Sequence, residues 1–308
     1  MCAGLSAAEG LEIASRFTAE AFRRDGFGPD PAFSCLIAEA EGDAIGYVLH
    51  CRDYDTDHLC RSVYLADLYV ETAARGRGVA AALMAAVARD SRALGARLMM
   101  WGVLKSNQTA RRFYAAFGEE IDDQIETGAV GDQFSSLVAD GRCDDRLLLR
   151  PAEAGDTPLL ARFLDAMLTE IGLPRRPGAE ERFRADGFGR DPAFTALVAE
   201  RAGAPAGYAL FWPTYDTESA CRGGWLSDLY VAPEARGHGV ARQLLAEVAR
   251  CTAARDGRYL VWLVHESNHG ARAFYRRYAE EWHDGLACVC AGDRFDALAD
   301  SAVSSMQG

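Results

Sequence analysis

The sequence predicts an α/β (α+β) fold built twice in tandem, and three observations carry that prediction. "ARGRGVAAALM" at 74–84 returns as "ARGHGVARQLL" at 235–245, an offset of 161 positions in a chain of 308 residues. The same offset lays DGFGPDPAF (25–33) on DGFGRDPAF (186–194), LADLYV (65–70) on LSDLYV (226–231) and SNQTARRFY (106–114) on SNHGARAFY (267–275). The register holds without a gap until GDQF (131–134) meets GDRF (292–295). Third, strand-like and helix-like stretches alternate within each copy. Two units of this size are a domain duplication rather than a solenoid. Domains at 1–140 and 141–308 each have the length to bury a core.

In the second copy DRLLLR (145–150) reads as a first strand, and the apolar spacing of 157–171 is helical. FTALVAER and PAGYALFWPTY read as a hairpin turning at Gly203, and WLSDLYV as a buried central strand. Val240, Leu244, Val248 and Cys251 recur every three or four residues and give one buried helical face. RYLVWLVH (258–265) is the next strand, followed by a short helix containing Ala271 to Tyr278. At the same offset Met1 falls opposite Arg162, so the first copy has no counterpart of 145–150. Its sheet either lacks a strand or borrows one.

Hydrophobic residues make up 49% of the chain and charged residues 25%, as in ordinary globular proteins, and no apolar run reaches the roughly 20 residues that span a bilayer. The start, MCAGLSAAEG, has no basic residue leading a hydrophobic stretch, so a cytoplasmic protein is expected. A formal charge of -12 argues against nucleic acid and suits a cationic small molecule. The nine cysteines form no CxxC pair. Cys288 and Cys290 would face one side of a strand, and His283 alone does not complete a ligand set. Packed reduced thiols and no metal are expected.

Residues Arg236, Gly237, His238, Gly239, Val240, Ala241 and Arg242 lie between a buried strand and the first turn of a helix. Unpaired N–H groups and the helix dipole make such a place an anion site, and glycine lets a phosphate approach the main chain. A dinucleotide fingerprint needs a third glycine where Ala81 and Arg242 stand, and a P-loop needs a GK[ST] ending; neither fits. What fits is Arg-x-x-Gly-x-Ala after a DLYV strand, with Asn-x-x-Ala-x-x-x-Tyr about thirty residues later. Both copies carry this arrangement, and it resembles the GNAT superfamily of acyl-CoA-dependent N-acyltransferases.

That resemblance implies acetyl-CoA as co-substrate. Its pyrophosphate would lie on the loop and its pantetheine arm beside the preceding strand. By this likeness Leu229, Tyr230, Val231 and 236–242 line the coenzyme in the second copy. Leu68, Tyr69, Val70, Arg75, Gly76, Arg77, Gly78, Val79, Ala80 and Ala81 do so in the first, and Asn268 and Asn107 reach the pantetheine region. DGFGRDPAFTALVAE, GYALFWPTYDT, LYV and SNHGARAFYRRY further resemble the diamine (spermidine/spermine) acetyltransferase branch. That branch carries a Glu-Asp pair in the central strand, whereas here Ala66 and Ser227 precede Asp67 and Asp228.

Acyl transfer to an amine requires a neutral nitrogen, a polarised thioester carbonyl and a proton for the departing thiolate. Backbone N–H groups near Leu229 suit the second need. Tyr275, and Tyr114 in the first copy, suit the third, since a phenol keeps its proton at neutral pH; Phe274 and Phe113 are the expected core residues beside them. Asp228, Glu170 and Asp216 are the carboxylates expected near the acceptor, with Asp67 and Asp55 in the first copy, and Trp212, Tyr215 and Trp225 as pocket walls. The leading expectation is an acetyltransferase for a primary amine of a small, cationic, polyamine-like molecule. The alternatives are an amino-acid or antibiotic N-acyltransferase, or one catalytic copy whose partner copy replaces a second subunit. The chain is expected as a monomer mimicking a homodimer, or as a homodimer.

Overall fold

In the computed structural model, which describes residues 18–141, 144 and 146–301, the first copy runs α1 (Ala19–Phe27), β1 (Ser34–Ala40), β2 (Asp43–Asp55), β3 (Cys60–Val70), α2 (Val79–Ala93), β4 (Leu98–Leu104), α3 (Gln108–Tyr114), β5 (Glu119–Ile121), β6 (Gln124–Val130) and α4 (Gly131–Val138). Among the described residues the second copy has in addition a strand and a helix in front. It runs β7 (Leu147–Pro151), α5 (Thr157–Glu170), α6 (Ala179–Gly187), β8 (Thr195–Arg201), β9 (Ala204–Asp216), β10 (Cys221–Val231), α7 (Val240–Ala253), β11 (Tyr259–His265), α8 (His269–Tyr275), β12 (Glu280–Trp282), β13 (Gly285–Ala291) and α9 (Asp293–Asp300).

Local sequence accounts for the turns. The β1–β2 and β8–β9 hairpins each turn on two residues of positive φ, Glu41 and Gly42 at 54° and 89°, and Ala202 and Gly203 at 50° and 78°. That left-handed pair matches the natural strand twist, and a glycine at the second position relieves its strain. The α8 helix stops at Tyr275, short of the expected Tyr278. The Tyr278 and Ala279 N–H groups both return to the Tyr275 carbonyl and close the last turn.

The sheets do not follow the order of the chain. One sheet reads β1-β2-β3-β4-β13-β5, the other β12-β6-β11-β10-β9-β8-β7. Strand β13 of the second copy therefore lies between β4 and β5 of the first, and β6 of the first lies between β11 and β12 of the second. Each crossing takes two residues, Asp122–Asp123 and His283–Asp284. The helix after each exchanged strand goes with it: Phe134 and Leu137 of α4 join the core around α7, and Phe295, Leu298 and Ala299 of α9 join the core around α2. Cys288 and Cys290 face one side of β13, buried among first-copy residues, and the seven described cysteines are free thiols. The first copy's sheet thus receives a strand at the end away from β1; among the described residues nothing pairs with the outer edge of β1.

Contacts between the copies come in matched pairs, the mark of a two-fold axis. Arg61 meets Asp186 as Arg222 meets Asp25, and the Thr56 hydroxyl reaches Asp228 as Thr217 reaches Asp67. One chain thereby builds the arrangement of a dimer. No helix among the described residues is long and apolar enough to cross a membrane.

Since each sheet holds an internal strand from the other copy, neither can melt alone. Thermal unfolding is expected as a single transition, with Phe295→Ala, in the first copy's core, lowering the whole of it by about 3–5 kcal/mol. Two resolved calorimetric transitions, one of them untouched by Phe295→Ala, would contradict this coupling.

Candidate active site

The site begins where two parallel strands part. β10 and β11 pair only at Gly224↔Leu260 and Trp225↔Val261. On its other side β10 stays paired with β9 through Val231, with a bulge between Leu226 and Asp228 that leaves Ser227 without a partner. A bulge bends and over-twists its strand, which turns the far half of β10 away from β11. The gap is a cleft of about 890 Å³, lined by Leu226 to Val231 on one side and Leu263 to His265 on the other.

At its mouth lies the glycine loop. Gly237 and Gly239 both hold φ near 77°, and a Cβ on either would meet nothing within 4 Å, so conformation rather than crowding demands glycine there. Gly239 stands at the N-terminus of α7, which no side chain caps, leaving the first-turn N–H groups for an anion. Gly76 and Gly78, at 73° and 81°, repeat the geometry before the equally uncapped α2. Gly237, Gly239, Val240, Ala241 and Arg242 line the cleft, while His238 points to solvent outside it.

Arg236 braces this loop: its Nε donates to the Val231 carbonyl at 3.0 Å and its outer nitrogen to both Glu170 oxygens at 2.7 Å. Glu170, expected beside the acceptor, is held at the mouth by Arg236 and the Tyr230 hydroxyl. Arg75 repeats the bond to the Val70 carbonyl; the counterpart of Glu170, Glu9, lies outside the described residues. Arg242 pairs with Asp140 at the end of the exchanged segment, so the first copy also steadies the second copy's loop.

Tyr275 projects from α8 onto Trp262, ring centroids 4.7 Å apart, and is 8% exposed. This reverses the expectation that Phe274 would be the core residue: Phe274 is half-buried and carries Arg277 over its ring. The reason is the parted sheet, which makes the buried face of α8 a wall of the cleft. Burial, and the charge of Asp228, push the Tyr275 phenol above its usual range, so it keeps its proton. The Asn268 carbonyl oxygen accepts from the Ala271 N–H at 3.1 Å as the N-cap of α8, and the residue lines the cleft. Asn107 does the same for α3, and Tyr114 is half-buried on Trp101.

Asp228 is 2% exposed, and its two oxygens take hydroxyl donors from Tyr208 at 2.8 Å, Thr56 at 3.0 Å and Ser227 at 3.2 Å. Burial outweighs these bonds and raises its carboxyl to about 6. Asp67 is bound likewise by Tyr47 and Thr217. Thr56 and Thr217 come from the opposite copy, because each β2–β3 or β9–β10 hairpin tip crosses the pseudo-dyad.

That crossing corrects three expectations. Asp216 does not reach the cleft of its own copy but lies on the Asp67 side, where its charge is felt by Asp67 and Glu126. Asp55, expected with the first copy, lines the second copy's cleft. Tyr215 packs against Phe33 and donates to Asp25 of the first copy, while Trp212 and Trp225 do line the cleft. Sequence reasoning passed over Thr56, Asp57 and Asp53. Aspartates at alternate positions in DYDTD were the available signal, but nothing local says which cleft a hairpin tip enters. Asp53 is 8% exposed, and burial pushes its carboxyl up to about 7 against hydrogen bonds from Ser62 and the Trp212 indole.

The sequence matches the acetyltransferase (GNAT) family over residues 7–118 and 161–279, one match per copy. The chain belongs to that family. A thialysine N-epsilon-acetyltransferase of Bos taurus is 31% identical over 153 residues, 44% of this chain and 89% of that protein, so one copy here corresponds to nearly a whole relative. A spermidine/spermine N(1)-acetyltransferase-like protein 1 of Homo sapiens is 30% identical over 131 residues, 40% of this chain and 19% of that one. A solved tandem GNAT protein from the clavulanic acid biosynthesis pathway, at 13% identity, superposes with a TM-score of 0.50 over 94% of this chain and 93% of that one, and shares its fold. This GNAT chain is an acetyl-CoA-dependent acetyltransferase with two tandem family domains.

The buried Asp53 carboxyl gives a pH signature. Its folded pKa lies above the unfolded value near 3.9, so its contribution favours folding below about pH 4 and is lost as pH rises through 7. Asp53→Asn is free of that loss. The melting temperature of Asp53→Asn minus that of the parent should therefore become more positive from pH 5 to pH 8; a constant difference would show that the carboxyl does not titrate there.

Proposed function

We propose that the second copy's cleft transfers the acetyl group of acetyl-CoA to a primary amine of a small, amino-acid-like cation, with the first copy standing in for a second subunit. The observation that carries this reading is the convergence on one cleft of the glycine loop, the unpaired edge of β10, Tyr275 and Asp228, with hairpin residues of the first copy closing it. A relative that acts on thialysine, an amino acid with a side-chain amine, favours the amino-acid alternative over the polyamine-like acceptor that the sequence first suggests. Serine at 227, where the diamine branch has a carboxylate, agrees with that shift.

In this reading the acceptor nitrogen, freed of its proton, attacks the thioester carbonyl carbon. The C–N bond forms as the C–S bond breaks, and the negative charge on the carbonyl oxygen is met by N–H groups of the β10 edge near Leu229. The Tyr275 phenol hands its proton to the departing sulfur and regains one from the newly acylated nitrogen, which leaves a neutral amide. An alkylammonium has a pKa near 10.4, so its proton must leave before attack. Asp228, beside Tyr275 and raised toward neutrality, takes it through water.

Thiol release from acetyl-CoA is the test, with thialysine, lysine, diamines and aminoglycosides as acceptors. Turnover should be fastest with an amino-acid side-chain amine. Tyr275→Phe should lose on the order of 100- to 10,000-fold in kcat, and Tyr114→Phe clearly less. A crippling Tyr114→Phe would transfer the activity to the first copy, and no thiol release with any amine would end the proposal. Gly239→Glu should abolish acetyl-CoA binding by titration, since its side chain would require a strained φ and bring a carboxylate to the anion site.

A further inference from the structure

Four aspartates line the acceptor end of the cleft; two of them, Asp55 and Asp57, face a basic side chain, and a third, Asp228, lies beside Tyr275. Asp228 spends both oxygens on three hydroxyls. Asp55 accepts from the His58 main-chain N–H at 2.6 Å and lies 2.9 Å from its Nδ1. Asp57 pairs with Arg176 at 3.4 Å. Among the described residues Asp53 has only neutral donors, the Ser62 hydroxyl at 3.0 Å, the Tyr54 main-chain N–H and the Trp212 indole. A buried carboxylate with no cation beside it is unfavourable. Next to it in the lining, Trp212 and Trp225 stack with centroids 6.5 Å apart and planes 19° from parallel, and an indole face attracts a cation. A ligand ammonium placed here satisfies both features. The position is also peculiar to one copy: at the repeat offset Asp53 corresponds to Thr214.

Building on the acetyl-transfer reading, we propose that Asp53, supplied by the first copy, selects acceptors for the second copy's cleft by receiving a second cationic nitrogen, one carried in addition to the amine that is acetylated. The acceptor then spans the cleft, its reacting nitrogen between Asp228 and Tyr275 and its second charge between Asp53 and the two indoles. The titratable groups facing Asp53 are Asp55 and Cys51 on β2 and Tyr64 on β3, while β9 brings the Trp212 indole. Burial raises the Cys51 thiol to about 12 and the Tyr64 phenol further, so neither titrates near neutrality.

The test uses the full chain and two amines that differ only in the second charge, 1,5-diaminopentane and pentylamine. The parent should favour the diamine in kcat/KM by on the order of 10- to 100-fold, the effect of one hydrogen bond to a charged group. Asp53→Asn and Asp53→Thr, the latter installing the residue at 214, should both collapse that ratio toward one through the diamine's KM, with thermal melts confirming that they fold. The parent's diamine-to-pentylamine ratio in kcat/KM should rise as pH rises through 7, and that of Asp53→Asn should stay flat. A ratio kept by both variants, or no diamine preference in the parent, overturns the proposal while leaving amine acetylation intact. If no amine releases thiol, the acetyl-transfer reading fails, and titration of 1,5-diaminopentane into the CoA-bound protein decides the proposal. Tighter binding by the parent than by Asp53→Asn supports it, and equal binding overturns it.

Discussion

Everything in this protein rests on the exchange of β6 and β13 between the two sheets. A strand paired on both sides within a sheet is held by two ladders of hydrogen bonds and by the cores on both faces, so it is the hardest place to open. Each copy places such a strand in the other, and each copy's terminal helix follows onto the recipient's core. The exchange fixes the pseudo-two-fold axis, and the axis brings each hairpin tip beside the opposite copy's buried aspartate. The cleft is composite for that reason. Asp53 and Asp57 reach it because β2 runs up to the axis and its tip passes over it.

Within the cleft, one irregularity does the positioning. The unpaired Ser227 lets β10 diverge from β11 while still bonding to β9, so a single strand serves as a core ladder on one edge and an open polar edge on the other. It also puts Asp228 where an ordinary strand would present an apolar side chain. The carboxylate tolerates burial because three hydroxyls answer it, yet burial still raises it to about 6, the property that the proposed proton transfer draws on. Tyr275 is the complement, a phenol whose burial makes it hold its proton.

The repeat, the order of elements and the glycine loop were legible because they depend on residues close in sequence. Periodicity placed β8 to β11 and α7 within a few residues, and GxG before a helix announced the uncapped N-terminus at Gly239. The strand exchange was not legible. QIETGAV and GLACVCA occupy the same place in their repeats, and a strand carries no local mark of which copy's sheet receives it. From that one omission came the crossed placement of Asp55 and Asp216 and the first-copy position of Tyr215. The reversal of Phe274 and Tyr275 has a different cause: residues adjacent in a helix differ by about 100°, and the sequence does not say which direction the parted sheet lies.

A symmetric homodimer must build two identical clefts, since any substitution enters both. Joining two copies in one chain removes that constraint while keeping the dimer's geometry. The carboxyl at 53 has a threonine at its repeat position, 214, on the second copy's hairpin, and the one at 126 has an alanine at 287, on its exchanged strand, so the second copy returns neither charge to the first. Glu126, raised by burial to about 7, instead faces Asp216, Glu218 and Asp284 on the Asp67 side of the axis. The same backbone device therefore holds two different charge arrangements, one bordered by stacked indoles and the other by crowded carboxylates. Both copies carry the loop, the bulge and the tyrosine that the proposed acetyl transfer uses, while the carboxylates around the two buried aspartates differ across the axis.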